Sequence, residues 1–72
     1  MTLIQNWNNV LFTSLAMEQF GGSFVQALGL ALRRADSENQ LRILDAFPDY
    51  IKQYGPGSSY YKHAERRYYG QE

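Results

Sequence analysis

The side chains equipped for acid–base chemistry are Asp45 and Asp49, four residues apart, with Asp36 and Glu38 upstream and a single histidine, His63. Two carboxylates on one helix face can divide into an acid and a base when burial drives their pKa values apart. Pro48 lies between Asp45 and Asp49, so they share a face only if a helix passes through it unbroken. No apolar pattern around them promises burial, and Asp36 and Glu38 are accounted for by a helix start, where carboxylates meet the positive dipole end. His63 has no G-x-S-x-G turn or comparable device to set a serine beside it. Gly21-Gly22-Ser23 and Gly55-Pro56-Gly57 lack the lysine and the preceding strand of a phosphate loop, and read as turns. Cysteine is absent, which removes disulfides and thiolate zinc sites, and one histidine is too few for a His-rich metal site. The expectation is a non-enzyme, with no catalytic, cofactor-binding or metal-binding residue and no cofactor.

Recognition chemistry is better represented. Tyr60, Tyr61, Tyr68 and Tyr69 alternate with Lys62, His63, Arg66 and Arg67. Aromatic faces among cations suit stacking on unpaired bases with contacts to phosphates. They equally suit packing of the rings on a helical body or a sister chain, with the cations solvated. Further forward, Trp7, Phe12, Met17 and Phe20 add apolar area to a segment with one charge, Glu18. Tyrosine, tryptophan and arginine dominate binding hot spots. The candidate partner interface is therefore Trp7, Phe12, Tyr60, Tyr61, Arg66, Arg67, Tyr68 and Tyr69. A helix-turn-helix over residues 23–47 is a weaker reading, because Glu38 and Asp45 beside Arg42 make a poor face for phosphate.

The elements that must position these groups read as helices. Leu3, Ile4, Trp7, Val10, Leu11, Ser14, Leu15 and Glu18 fall at helical spacing, behind a Thr2/Gln5 capping box, and predict a first helix over 3–20. Its other face is Asn6, Asn9 and Thr13, and Gly21-Gly22 closes it through the left-handed conformation. Ser23 with Gln26 opens a second helix, with Phe24, Ala27, Leu28, Ala31, Leu32 and Ala35 as its inward face. Ala27, Ala31 and Ala35 form a small-residue ridge there, and Gly29, costly in mid-helix, is either compensated by a close packing contact, the favoured reading, or a tolerated flaw. Arg33 and Arg34 complement the dipole of its last turn. Ser37 with Gln40 caps a third helix whose core face is Leu41, Leu44 and Ala46 or Phe47. Pro48 either kinks it or opens a further turn or two that ends at Gly55-Pro56. The last stretch is either a short helix capped by Ser58 or Ser59, aligning Tyr60, Ala64 and Tyr68, or a flexible tail.

The fold class is all-α: a small three-helix bundle, or three helices plus a fourth short one, with a Tyr/Arg-rich C-terminal extension. The domain plan is a helical domain over 1–54, a Gly/Pro/Ser linker over 55–59 and the extension over 60–72. A chain of 72 residues holds at most one domain and buries about 60% of its unfolded surface. Seven Lys+Arg balance seven Asp+Glu, against a polycationic nucleic-acid binder on net charge. Charge is concentrated in residues 33–54, while residues 1–32 carry Glu18 alone, few groups to keep a surface wet. A three-helix body cannot bury every apolar side of its first two helices, so a homodimer or a protein target is expected. No basic, apolar leader and no membrane-length apolar run is present, so a cytoplasmic chain without membrane contact is expected.

Ala35, Asp36, Ser37 and Asn39, followed by Ala46, Phe47, Pro48 and Tyr50, make a pattern of an apolar helix ending in Ala-Asp-Ser-x-Asn and a second running into Ala-Phe-Pro-x-Tyr. It resembles small uncharacterised proteins of bacterial and phage mobile elements. The resemblance covers under half of the chain and carries no activity. It implies a phage or mobile-element protein that binds and modulates a host protein. The alternative is a nucleic-acid-binding accessory protein that uses the Tyr/Arg extension.

Overall fold

The computed structural model describes residues 7–70, with the Trp7 side chain, the Thr2/Gln5 cap and residues 71–72 outside the description. Five helices follow one another: α1 (Trp7–Phe20), α2 (Ser23–Arg34), α3 (Ser37–Ala46), α4 (Pro48–Tyr54) and α5 (Ser59–Tyr68). There is no strand among the described residues.

The lack of charge in α1 follows from its position at the centre. Val10, Phe12, Thr13, Ser14, Ala16 and Met17 are all buried. Three consecutive buried residues span most of a helical turn, so one covering neighbour is not enough. α2, α4 and α5 all contact α1. Thr13, expected on an outer amide-and-hydroxyl face, is fully buried instead, and its hydroxyl has no hydrogen-bond partner among the described residues. Ser14 is also buried, and its hydroxyl donates to the Leu11 carbonyl at 2.7 Å, a local solution that lets a small polar residue sit in a helix interior.

α2 meets α1 through Val25, Gly29 and Leu32, with Leu28 partly buried beside them. Gly29 is the closest approach. A Cβ there would lie 2.8 Å from both the Met17 Cβ and the Ser14 carbonyl oxygen, so the expected packing role of Gly29 stands. The expected inward face stands only at Leu28 and Leu32. Ala27, Ala31 and Phe24 are exposed and Ala35 is half-buried, because α2 turns its narrowest point, the glycine, toward α1 rather than the alanine ridge. Arg33 then reaches across, its Nε and Nη2 donating to the two Glu18 carboxylate oxygens at 3.0 and 3.2 Å.

The helix ends differ from expectation by a residue or a mechanism. Gly22, not Ser23, is the cap of α2, without a side-chain bond. At α3 the cap is Asp36, not Ser37: its carboxylate accepts from the Asn39 N–H at 2.9 Å, a charge-assisted bond at a positive helix end. Gly21 and Gly22 do not take left-handed backbone, which among the described residues occurs only at Gly57 and Gly70. Gly21 is needed for space, since a side chain there would strike Val25. Pro48 occupies the first turn of α4, where its missing N–H costs nothing.

Of the two forms expected for the last stretch, the structure shows the short helix, capped by Ser58. Gly57, at φ 93°, turns the chain, the Ser58 hydroxyl accepts from the Tyr61 N–H at 3.1 Å, and α5 lies against α1 and α4. The radius of gyration is 11.0 Å, against about 11 Å for a globule of this length. The described residues are therefore all-α and form five helices, the fourth and fifth being the short helices that were each one of two expected readings.

Candidate interaction surface

α5 has an inward and an outward side, set by helical spacing. Tyr61 and Ala64 face in and are buried. The Tyr61 hydroxyl donates to the Asn9 Oδ1 on α1 at 2.9 Å. Burial raises the pKa of that hydroxyl above the usual tyrosine value, with the Glu65 carboxylate and Tyr69 adding to the shift.

Phe12 is the anchor of this contact. It is 2% exposed, and three tyrosine rings enclose it: Tyr61 at 5.7 Å edge-on, Tyr68 at 5.4 Å edge-on and Tyr69 at 5.7 Å. Edge-on aromatic pairs at such separations add to the area term. Phe12 and Tyr61 were expected at a partner interface, but both belong to the interior. The surplus apolar side of α1 that motivated that expectation is covered by the chain's own fifth helix.

Of the other expected interface residues, the Trp7 side chain lies outside the described residues, and Tyr60, Arg66, Arg67, Tyr68 and Tyr69 are at the surface. Tyr60, Tyr68 and Tyr69 are 38%, 58% and 57% exposed. Each is held on one side: Tyr60 lies 5.0 Å from the Phe20 ring and 5.1 Å from Tyr54, while Tyr68 and Tyr69 rest on Phe12. His63 meets the Phe20 ring edge-on at 5.2 Å. Lys62, Arg66 and Arg67 are exposed. The two ion pairs among the described residues are Arg33–Glu18 and Arg42–Glu38, so these three cations are not ion-paired there. The result is a basic outward strip edged by fixed aromatic rings. Rings held in place lose little entropy on binding, and unpaired guanidinium groups can take a carboxylate or phosphate in bidentate geometry.

Asp45 and Asp49 are exposed on α3 and α4, on either side of the Pro48 break. No group of three His, Asp or Glu residues among those described could hold a metal ion. No described helix is long and apolar enough to cross a membrane.

A second exposed region was not anticipated. Phe24 is 57% and Leu41 53% exposed. The Phe24 ring lies 5.9 Å from Phe47 and 6.1 Å from Tyr50, which stack on each other at 6.1 Å. The sequence did hold a signal: two apolar series interleave in α2, and only one can face α1. In comparisons with known proteins, no family model matches the chain, and neither a curated protein nor a solved structure is significantly similar to it.

Proposed function

We propose that this chain is a non-enzymatic protein-binding module that presents the outward side of α5 to an acidic patch on another protein. The observation that carries the reading is the set of half-fixed, exposed rings of Tyr60, Tyr68 and Tyr69 beside Arg66 and Arg67, cations without an ion-pair partner among the described residues. The tyrosines supply contact area, and the guanidinium groups orient the partner through carboxylates. In the phage or mobile-element setting that the Ala-Asp-Ser-x-Asn resemblance implies, the partner is a host protein whose surface the module occupies.

The same strip favours one second reading, a nucleic-acid accessory role, because Lys62 joins Arg66 and Arg67 on a surface edged by aromatic rings. The two separate by salt and by sequence of loss. The test is retention of host proteins on the immobilised chain, alongside titration of a single-stranded oligonucleotide, for the natural chain and for Tyr69→Ala and Arg66→Ala. A protein partner lost with Tyr69→Ala but retained at moderate salt supports the module. Oligonucleotide binding that weakens by orders of magnitude over a few-fold rise in salt replaces it with the second reading. Retention indifferent to both substitutions removes α5 as the contact.

A further inference from the structure

Gly55-Pro56-Gly57-Ser58 is the one place in this chain where glycine and proline meet, and it joins α4 to α5. Gly57 stands at φ 93°, a backbone region that is unfavourable for an L side chain and open to glycine. No atom lies within 4 Å of a Cβ added there, so conformation rather than space asks for glycine at this position. The turn that lays α5 against α1 therefore depends on a backbone state that glycine holds freely and most residues do not.

α5 is attached to the rest of the molecule by one side. Tyr61 and Ala64 are its buried residues. The Tyr61 hydroxyl donates to Asn9, and the rings of Tyr61, Tyr68 and Tyr69 pack on Phe12. Tyr60 adds ring contacts to Phe20 and to Tyr54 of α4. α1 also packs against α2 and α4, contacts that do not run through α5. Release of α5 bares Phe12 to water, a cost that is recovered when an α5 docks there again. A second copy carries the same helix and the same receiving surface. Exchange of α5 between two copies restores every one of these ring contacts and the Tyr61–Asn9 hydrogen bond, while the turn at Gly57 opens.

We propose that α5 is an exchangeable strap: it docks either on its own α1 or on the α1 of a second copy, with Gly57 as the hinge. The occupant in the exchanged form is a second copy because its α5 is identical to the helix it replaces. A short connection holds α5 near its own α1 at an effective concentration on the order of millimolar. The closed monomer therefore dominates at micromolar concentration, and exchange sets in as the chain approaches millimolar. The inward side of α5 makes this contact and the outward strip stays free in both forms, so this inference and the partner reading above stand or fall separately.

The test is molar mass by light scattering from about 1 µM to about 2 mM, a range that brackets the effective concentration, on the natural chain, Gly57→Asn and Gly57→Val. The natural chain is expected to be a monomer at the low end, with a dimer fraction that grows at the high end. Gly57→Val strains the closed turn of both chains and neither exchanged hinge. It is expected to lower the concentration of half-dimerisation at least about tenfold, with helical circular dichroism unchanged. Gly57→Asn, whose side chain tolerates the left-handed region, is expected to stay close to the natural chain. The contact is identified by nuclear magnetic resonance on an equimolar mixture of isotope-labelled and unlabelled natural chain, refolded together and held at about 2 mM. Nuclear Overhauser effects between the Phe12 and Tyr61 rings of differently labelled chains are expected in the dimer and absent from the monomer. This arm uses the natural chain alone, so the decision does not rest on how a variant folds. A natural chain that is monomeric at every concentration overturns the inference, as does a dimer whose Phe12–Tyr61 contacts stay within one chain. So does a folded Gly57→Val that dimerises no more tightly than the natural chain, or growth to masses beyond a dimer.

Discussion

Tyr61 does two things at once, which makes its protonation a probe of the interior. Its ring fills the space beside Phe12, and its hydroxyl satisfies Asn9. An unfolded tyrosine loses its proton near pH ~10, whereas burial holds the folded Tyr61 pKa higher. Between those two values the unfolded chain gives up the proton and the folded one does not. The stability that Tyr61 contributes is therefore fully present below about pH 10 and is lost as pH rises through the folded value. Denaturant midpoints followed from neutral into alkaline pH are expected to fall more steeply for the natural chain than for Tyr61→Phe. At neutral pH the variant is less stable by about 1 kcal/mol, the worth of a lost side-chain hydrogen bond. Parallel curves would place the Tyr61 hydroxyl in solvent. In the sequence, Tyr61 was one of four tyrosines among cations, and no local rule separated it from Tyr60. Only the rotation of α5 about its axis did so.

At the scale of elements, the contact of α1 with α2 is set by one missing side chain. Gly29 costs α2 about 1 kcal/mol relative to alanine through helix propensity alone. It compensates by letting Met17 and the Ser14 carbonyl approach closely enough that a Cβ has no room. One of these obstacles is backbone, so the strain cannot be relieved by a rotamer change. Gly29→Ala is expected to destabilise the fold by up to about 2 kcal/mol net, overpacking of about 1–3 kcal/mol set against a propensity gain of about 1 kcal/mol. Gly22→Ala is the control: nothing lies within 4 Å of the added methyl, and its stability is expected to stay near that of the natural chain. Chemical denaturation of the two variants checks both, and equal midpoints would contradict the close approach. The existence of α1, α2 and α3 was legible from periodicity and capping chemistry, and α4 after Pro48 and α5 after Ser58 were each one of two readings. The caps were read one residue late at α2 and α3, because serine followed by glutamine three residues on competes with a glycine and an aspartate just before it. Which of the two apolar series in α2 faces inward was not legible, since both obey the helical rule.

At the scale of the whole molecule, α5 completes the interior rather than trailing from it. Phe12, at 2% exposure, packs against three rings that all lie within residues 61–69. A chain ending at Tyr54 would leave Phe12 and the α5-facing side of α1 in water, at a cost of about 1.5–3 kcal/mol for the phenylalanine alone. In a domain this small that is a large part of the net stability. The shortened chain is expected to lose its cooperative thermal transition by circular dichroism or to self-associate through the bared surface. A monomer with the full chain's melting temperature would show that α5 is dispensable. The acidic residues of α3 and α4 and the basic strip of α5 keep the molecule neutral overall but polar in distribution.

The sequence by itself determined the class of structure, the turns and the shortage of charge in the first helix. These follow from short-range rules: side-chain spacing, backbone-capping oxygens and proline's missing donor act over one or two turns. The tertiary structure decided which sides of α1, α2 and α5 are interior. A helix with apolar groups on more than one side has no local preference among them. The choice falls to the packing that buries most surface with least strain, and here the gap at Gly29 and the rings around Phe12 decided it. The same choice moved the free surface from α1 to the outward sides of α5 and α2.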